Sequence, residues 1–507
     1  FMVICALSLG VVLNNNLDII GRYMKQIDMF HLGEMLGPAS GFLLGKKPYS
    51  EIFFYRGMGA DVLIGMLSIK IFGYSIGGFL TTTLFLNFIS SFLFFLLISI
   101  LFRNNWFYLV SIWFFMSKRV TIDIFKDIGT WIAIYIIFRL CNDKKPKTIF
   151  SYLLGCIAFS LFFFYIDRGF YLTSISLIIG FMLFLFHKNI KYLISIIAGL
   201  LTSCFIFFII LGKDAFFAFT QTTFIDIPRM KSLSDEYVFP RFQTDSLMLH
   251  WLPIILIIIH SFMIIFLYNV KKYKKDRMLL FILFIHIYSI LYFRVALGRS
   301  DFPHIVGGST LIFLTAFLLI QYLWNIHWND IKLKNYSWWR NIIFTVGFCL
   351  VLFVPQVNLG YKNTLKLFFN AKKTVTDLVS VSKIKDNDWL TDEQLKVVKY
   401  IRSHTTDTDF VYVFPSEPLY YYFFNRMNPT RFYATWFSQP SFYRQESLLN
   451  LKKNKPKYIL YKDASIWNKP DFVDVAVRFS EINDWILKNY KEDTIIGSTV
   501  IMISSFR

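Results

Sequence analysis

Asp28, His31 and Glu34 recur at intervals of three in the stretch Asp28-Met29-Phe30-His31-Leu32-Gly33-Glu34, which runs on to Gly37-Pro38. If this stretch is helical, the spacing places the three within an arc of about 120° on one face. Two carboxylates and an imidazole on one edge could transfer a proton, bind a cation or grip sugar hydroxyls. A solvated polar face on an interfacial helix is the plainer alternative.

Three further clusters carry chemistry. Gly45-Lys46-Lys47-Pro48-Tyr49-Ser50-Glu51 leads through Phe53-Phe54-Tyr55 to Arg56-Gly57. Asp167-Arg168-Gly169 reads as a charged pair at a tight turn between two apolar spans, either self-neutralising or functional. Arg294 precedes Gly298-Arg299-Ser300-Asp301-Phe302-Pro303-His304, where two arginines, an aspartate and a histidine gather at one loop tip. Arginine suits phosphate because its planar fork donates two parallel hydrogen bonds. Asp123 and Asp127 near a span end read equally as ligands or solvated acids. Asp407-Thr408-Asp409 matches a DxD pattern but directly precedes a predicted strand, so it reads as a turn. His260 and His286 fall inside spans and read as helix–helix hydrogen-bonding groups. No Walker loop, HExxH, GxSxG or Rossmann fingerprint occurs, which argues against an ATP-driven pump.

The elements that must position these residues follow from composition. The 507 residues are 55% hydrophobic and 20% aromatic but only 17% charged, where soluble domains carry about 25% charge. The apolar residues fall in long runs, so the reading is an all-α polytopic membrane protein rather than a soluble, disordered or disulfide-stapled chain. Spans are expected near 77–101, 149–165, 170–187, 192–212, 249–269, 278–297, 305–324 and 341–359, with two more inside 105–140. Residues 1–13 are apolar but short and begin with Phe1, as if the first span were truncated. The total is about eleven. The segment 58–73 is short for a span and is expected to lie along the outer interface.

The net charge of +20 would suggest nucleic acid in a soluble protein. Here it is positional. Lys144, Lys145 and Lys147, then Lys188 and Lys191, then Lys271 to Arg277 occupy three short loops on one side, which the positive-inside rule makes cytoplasmic. Residues 14–76, the Asp167-Arg168 turn, the loop 213–248, the tip 299–304 and everything after 360 then face outward. Cys5, Cys141, Cys156, Cys204 and Cys349 lie in or beside spans and read as buried thiols.

Residues 361–507 change character, with no run long enough to span. Asp409–Phe414, Lys457–Tyr461 and Thr494–Ser504, with a break at Gly497, read as strands; Leu395–His404, Gln445–Lys453 and Val477–Tyr490 have helical spacing. The chain therefore divides into a membrane domain, 1–360, whose outer loop 14–76 carries the acidic motif, and a C-terminal α/β domain, 361–507, on the outer face.

With this layout, Asp28–Glu34, Gly45-Lys46-Lys47-Pro48-Tyr49 running to Gly57, Asp167-Arg168-Gly169 and Gly298-Arg299-Ser300-Asp301 with His304 together resemble the GT-C superfamily. These integral-membrane glycosyltransferases take sugars from polyprenyl-phosphate carriers, and the protein-mannosyl and lipid-A aminoarabinose transferases belong to it. Glu51 and Arg56 stand where relatives more often carry Asp, and His or Pro.

The resemblance implies a multi-pass plasma (inner) membrane enzyme with its site and C-terminal domain periplasmic. It implies an inverting transfer with a loop carboxylate as base, Asp28 first and Glu34 second, with His31 beside them. Arg294, Arg299, Arg168 and Arg56, with Asp167, Asp301 and His304, are the implied donor-binding groups. The partners would be a polyprenyl-phosphate-linked sugar, a glycan, lipid or protein acceptor, and membrane lipids, with no nucleic acid. Some members use magnesium or manganese and others basic side chains alone; the arginines here favour the second mode. A polymerase or ligase of lipid-linked glycans, a flippase for them, and a non-catalytic scaffold are the competing readings.

Overall fold

The structure is a computed structural model describing most of residues 27–102, 124–234, 247–269, 276–298, 305–330 and 384–505, the last without 463–473, and isolated positions among 4–12. It is largely helical. The helices are α1 (Gly33–Leu43), α2 (Ile64–Phe72), α3 (Ile76–Leu101), α4 (Ile128–Asn142), α5 (Thr148–Phe164), α6 (Ile166–His187), α7 (Lys191–Thr220), α8 (Ile227–Ser234), α9 (Leu247–Asn269), α10 (Arg277–Gly298) and α11 (Thr310–Asp330).

Among the described residues five helical segments are long and apolar enough to cross a membrane: Ile76–Leu101, Ile166–His187, Lys191–Met230, Trp251–Asn269 and Arg277–Arg294. Ile128–Asn142, Thr148–Phe164 and Thr310–Asn325 are shorter apolar helices. That is fewer than the eleven expected. The span at 341–359 and the one before Lys118-Arg119 lie outside the described residues.

A helix satisfies its own backbone, so its side chains can face lipid. Phe205, Ile209 and Ile210 on α7 and Phe262 and Phe266 on α9 are exposed accordingly, while Ile137, Leu172, Ile175, Phe281 and Leu314 are fully buried between helices. Helices α5 and α7 cross at two glycines. A Cβ on Gly155 would lie 2.1 Å from the Ile196 carbonyl, and one on Gly199 2.1 Å from the Tyr152 carbonyl. Small residues let backbones approach where lipid offers no hydrophobic drive for association.

Two expectations are corrected. Asp167 and Arg168 are not in a turn: the chain breaks earlier, at the extended residue Tyr165, and both occupy the first turn of α6. The stretch after 212 is not simply a loop. Gly212 interrupts α7 with φ 74°, and helix then continues through a π-helical segment, Gln221–Asp226, into α8. The segment 58–73 is helical, as read, but opens with a π-helical turn at Gly59–Leu63.

The C-terminal part contains α12 (Asp392–His404), α13 (Leu419–Phe424), α14 (Ser441–Asn454), α15 (Val475–Arg478), α16 (Ser480–Asn489) and the strands β1 (Val411–Phe414), β2 (Tyr458–Tyr461), β3 (Tyr490–Ile496) and β4 (Thr499–Ser504). The sheet order is β1-β2-β4-β3, with β1 parallel to β2 and the other pairs antiparallel. Gly497, at φ 61°, turns the β3–β4 hairpin. The third predicted strand thus covers the end of β3, the tip and β4, and β3 begins where a helix was expected to end. Thr391 starts α12 in a capping box with Gln394.

Candidate active site

The acidic motif folds as a turn that leads into α1. The Asp28 carboxylate accepts hydrogen bonds at Oδ1 from the backbone N–H groups of Phe30 (3.1 Å) and His31 (2.8 Å). Its Oδ2 lies 2.7 Å from His31 Nδ1. Burial alone would raise the Asp28 pKa, but the hydrogen bonds from the His31 side chain and the two backbone N–H groups bring it below the ordinary carboxylate value. Burial alone would lower the His31 pKa, but hydrogen bonding and charge from Asp28, with the charge of Glu34, raise it against the opposing Arg56. Both side chains reach solvent, His31 at 42% and Asp28 at 26% exposure.

Glu34, one turn on, faces inward. Arg56 bridges it to a carboxylate the sequence reading passed over: Nη2 of Arg56 donates to Glu34 Oε2 at 2.8 Å and Nε donates to Asp61 Oδ1 at 2.8 Å. Asp61 Oδ2 also accepts the Arg56 backbone N–H at 3.0 Å. Asp61 lies buried in the π-helical turn, a rare conformation that often marks functional positions. A lone carboxylate within the apolar run 58–73 was the available signal. Burial pushes the Glu34 carboxyl above its ordinary value, helped by Asp61 and opposed by Arg56 and His31. Asp28, His31, Glu34 and Arg56 are therefore brought together, but as a solvent-facing pair and an inward triad rather than one shared edge.

The C-terminal part buttresses this nest. The N–H of Leu419 donates to the Met29 carbonyl at 3.1 Å, and a Cβ on Gly33 would lie 2.1 Å from the Leu419 nitrogen. Lys46 Nζ donates to the carbonyls of Asn428 and Thr430. Arg431 donates to the Tyr49 carbonyl and pairs with Glu446. Tyr443 donates to the buried Asp226 at 2.8 Å, tying in the π-helical segment after α7.

A second cluster lies at the start of α6. Arg168 is buried, its Nε 3.1 Å from Asp127 Oδ1 and its guanidinium 3.9 Å from the centre of the Tyr292 ring. Tyr292 donates to the same Asp127 oxygen at 2.5 Å, and Tyr165 stands 5.3 Å from the guanidinium on the chain break. Arg168 Nη1 is buried with no hydrogen-bond partner among the described residues. The partner of Arg168 is thus Asp127, forty-one positions away, rather than its neighbour Asp167. Tyr171 lies within electrostatic reach of Asp167, Arg168 and Arg294, and Arg294 is exposed near the end of α10. Arg299, Asp301 and His304 lie outside the described residues, as do Asp123 and Cys349.

Other motifs resolve as structure. Asp409 accepts the N–H of Thr406 and pairs with Lys457, while Asp407 pairs with Arg426, which makes this stretch a turn. His286 Nε2 lies 2.8 Å from Ser261 Oγ across two helices. Cys5, Cys141, Cys156 and Cys204 are free thiols.

Among the described residues no three His, Cys, Asp or Glu side chains converge as metal ligands. Arg56 bridges Glu34 and Asp61 where a divalent ion would need to sit, so this nest does not fit magnesium or manganese. No family model matches the chain, and no curated protein matches it.

Proposed function

We propose that the chain is an integral-membrane glycosyltransferase of the GT-C kind, moving a sugar from a polyprenyl-phosphate donor to an acceptor hydroxyl at the outer boundary of the plasma membrane. The observation carrying this reading is a physical link between the two clusters. The Ile166 N–H at the start of α6 donates to the Arg56 carbonyl at 2.8 Å, so the proton-accepting nest and the buried cation Arg168 share one scaffold. A glycosyl transfer of this type needs both: a group to take the acceptor's proton and cations to stabilise charge developing on the leaving phosphate.

In this reading the lipid tail lies between spans and brings its phosphate to Arg168 and Arg294, and the resemblance adds Arg299, Asp301 and His304 as donor-binding groups. The Asp28–Glu34 motif faces the acceptor, whose oxygen attacks the anomeric carbon from the side opposite the phosphate and inverts it. The remaining spans of an eleven-helix bundle and an outward C-terminal domain complete the arrangement. The phosphate-linked sugar supplies the driving force, so no nucleotide site is required.

The test is to incubate the purified protein with polyprenyl-phosphate pentoses and hexoses and follow release of free polyprenyl phosphate. Arg299→Ala should remain folded and lose turnover, and Asp28→Asn should remain folded with its turnover reduced. Passage of an intact lipid-linked sugar between leaflets, with its phosphate bond unbroken, would replace this reading with a flippase.

A further inference from the structure

We propose that Nε2 of His31 takes the acceptor proton and that Asp28 is a positioning residue holding the imidazole, an assignment that rests on the glycosyltransferase reading. The family resemblance puts Asp28 first by its motif position, but the geometry distributes the roles differently. Both Asp28 oxygens are engaged: Oδ1 by two backbone N–H groups and Oδ2 by the His31 ring. An ionised carboxylate only accepts, so the ring nitrogen facing it, Nδ1, carries the hydrogen. In neutral imidazole the lone pair then belongs to Nε2. A base oriented by a third group through its other ring nitrogen is the usual arrangement for activating a hydroxyl.

Access supports the same assignment. His31 is the most exposed of the motif's three ionisable side chains, whereas Glu34 is only 8% exposed and held by Arg56. Among the described residues, charged groups that act on His31 include Asp28 on its own turn, Glu34 on α1 and Arg56 from the segment opposite. The two carboxylates outweigh the arginine, which places the imidazole's titration above its ordinary value and makes it a better proton acceptor than Asp28.

The step balances without a further reagent. The acceptor O–H proton passes to Nε2 as the acceptor oxygen forms its bond to the anomeric carbon. The bond from that carbon to the phosphate oxygen breaks, and its electron pair leaves on the polyprenyl phosphate. The imidazolium then releases its proton to water, and Asp28 remains ionised throughout.

The experiment pairs kinetics with an observation of the imidazole itself. Release of polyprenyl phosphate is measured between pH 5 and 9 for the full chain and for His31→Gln, Asp28→Asn and Asp28→Glu, while His31 is titrated by NMR in the same detergent. The wild-type rate should rise with pH through the NMR-measured His31 value. Asp28→Asn should lower that value and carry the kinetic rise down with it, and Asp28→Glu should restore part of both. His31→Gln should lose about 10²–10⁴ in rate, the usual worth of a general base, together with this limb of the profile. Retention of most of the rate and of the limb in His31→Gln overturns the proposal, as does an unchanged NMR titration in Asp28→Asn. Absence of turnover by the wild type with every donor overturns the glycosyltransferase reading itself. The NMR titration separates that outcome from a failure of the Asp28–His31 assignment.

Discussion

The carbonyl of Arg56 accepts the N–H of Ile166 at 2.8 Å while the Arg56 guanidinium binds Glu34 and Asp61. One residue thereby satisfies one of the N–H groups that a helix start leaves without intrahelical partners and fixes two buried carboxylates. Arg168 lies two positions along the same helix turn, so displacing the segment 56–59 displaces both clusters.

Gly57 makes that approach feasible. Its φ is +125°, and a Cβ there would lie 2.9 Å from the Phe163 carbonyl oxygen and 3.1 Å from that of Phe164. Gly57→Ala should cost about 1–3 kcal/mol through backbone strain and contact. Gly73→Ala is the control, because Gly73 also has positive φ (+70°) but nothing within 4 Å of its Cβ position. Thermal unfolding in detergent should show the larger loss at Gly57, and only Gly57→Ala should also depress turnover.

Arg56 neutralises two carboxylates that cannot reach water, Glu34 and Asp61 being 8% and 6% exposed. Arg56→Met leaves both without their cation and should cost on the order of 3–5 kcal/mol, as broken buried pairs do. The loss should depend on pH in a definite direction. Burial already holds the Glu34 pKa above its unfolded value, so the folded state disfavours its charged form, and removing Arg56 strengthens that preference. The deficit of Arg56→Met should therefore grow as pH rises through the Glu34 titration and shrink in acid. Melting curves at pH 4, 6 and 8 check the sign; a deficit largest at pH 4 contradicts it.

These pairings also show where the sequence was legible. Apolar run length placed spans at 77–101 and 170–187, close to the helices Ile76–Leu101 and Ile166–His187, and short β-rich runs placed β1 and β2, because both signals are local. Gly497 was readable as a break because a turn at positive φ favours glycine. Asp61 was hidden because a single carboxylate barely alters an apolar run, and its meaning comes from Arg56 folding back against it. The Arg168–Asp127 pair joins positions 41 residues apart, so a charge pattern suggested the adjacent Asp167 instead. The Gly212 break was read as the end of a helix, whereas helix resumes beyond it and runs to Asp226, which Tyr443 of the C-terminal part holds.

The Asp28–His31 pair contributes to stability only within a window. Asp28 titrates below its ordinary value in the folded state, so its share is present above about pH 4 and fades as pH falls through the folded value. His31 titrates above its ordinary value, so its share is full below about pH 6 and is lost as pH rises through the raised value. Because both groups reach solvent, the gain should not exceed about 1 kcal/mol. The melting-temperature gap between wild type and Asp28→Asn should therefore peak between these limits and narrow on both sides. A gap that keeps widening toward pH 9 contradicts this account.

Arg168 tests whether a buried charge serves the fold, the chemistry or both. Its Nε faces Asp127 Oδ1, which also accepts the Tyr292 hydroxyl, while its Nη1 has no partner among the described residues. Arg168→Met alone leaves the half-buried Asp127 carboxylate without its cation beside Tyr292 and should cost about 1–3 kcal/mol. Adding Asp127→Asn removes the stranded charge, so the double variant should be more stable than Arg168→Met and show a coupling energy of at least about 1 kcal/mol. This rescue separates the two roles, because it restores the fold without restoring the cation. A folded double variant that has lost turnover assigns Arg168 to stabilising the leaving phosphate. One that turns over normally reduces Arg168 to an internal strut and transfers the phosphate to Arg294 near the end of α10.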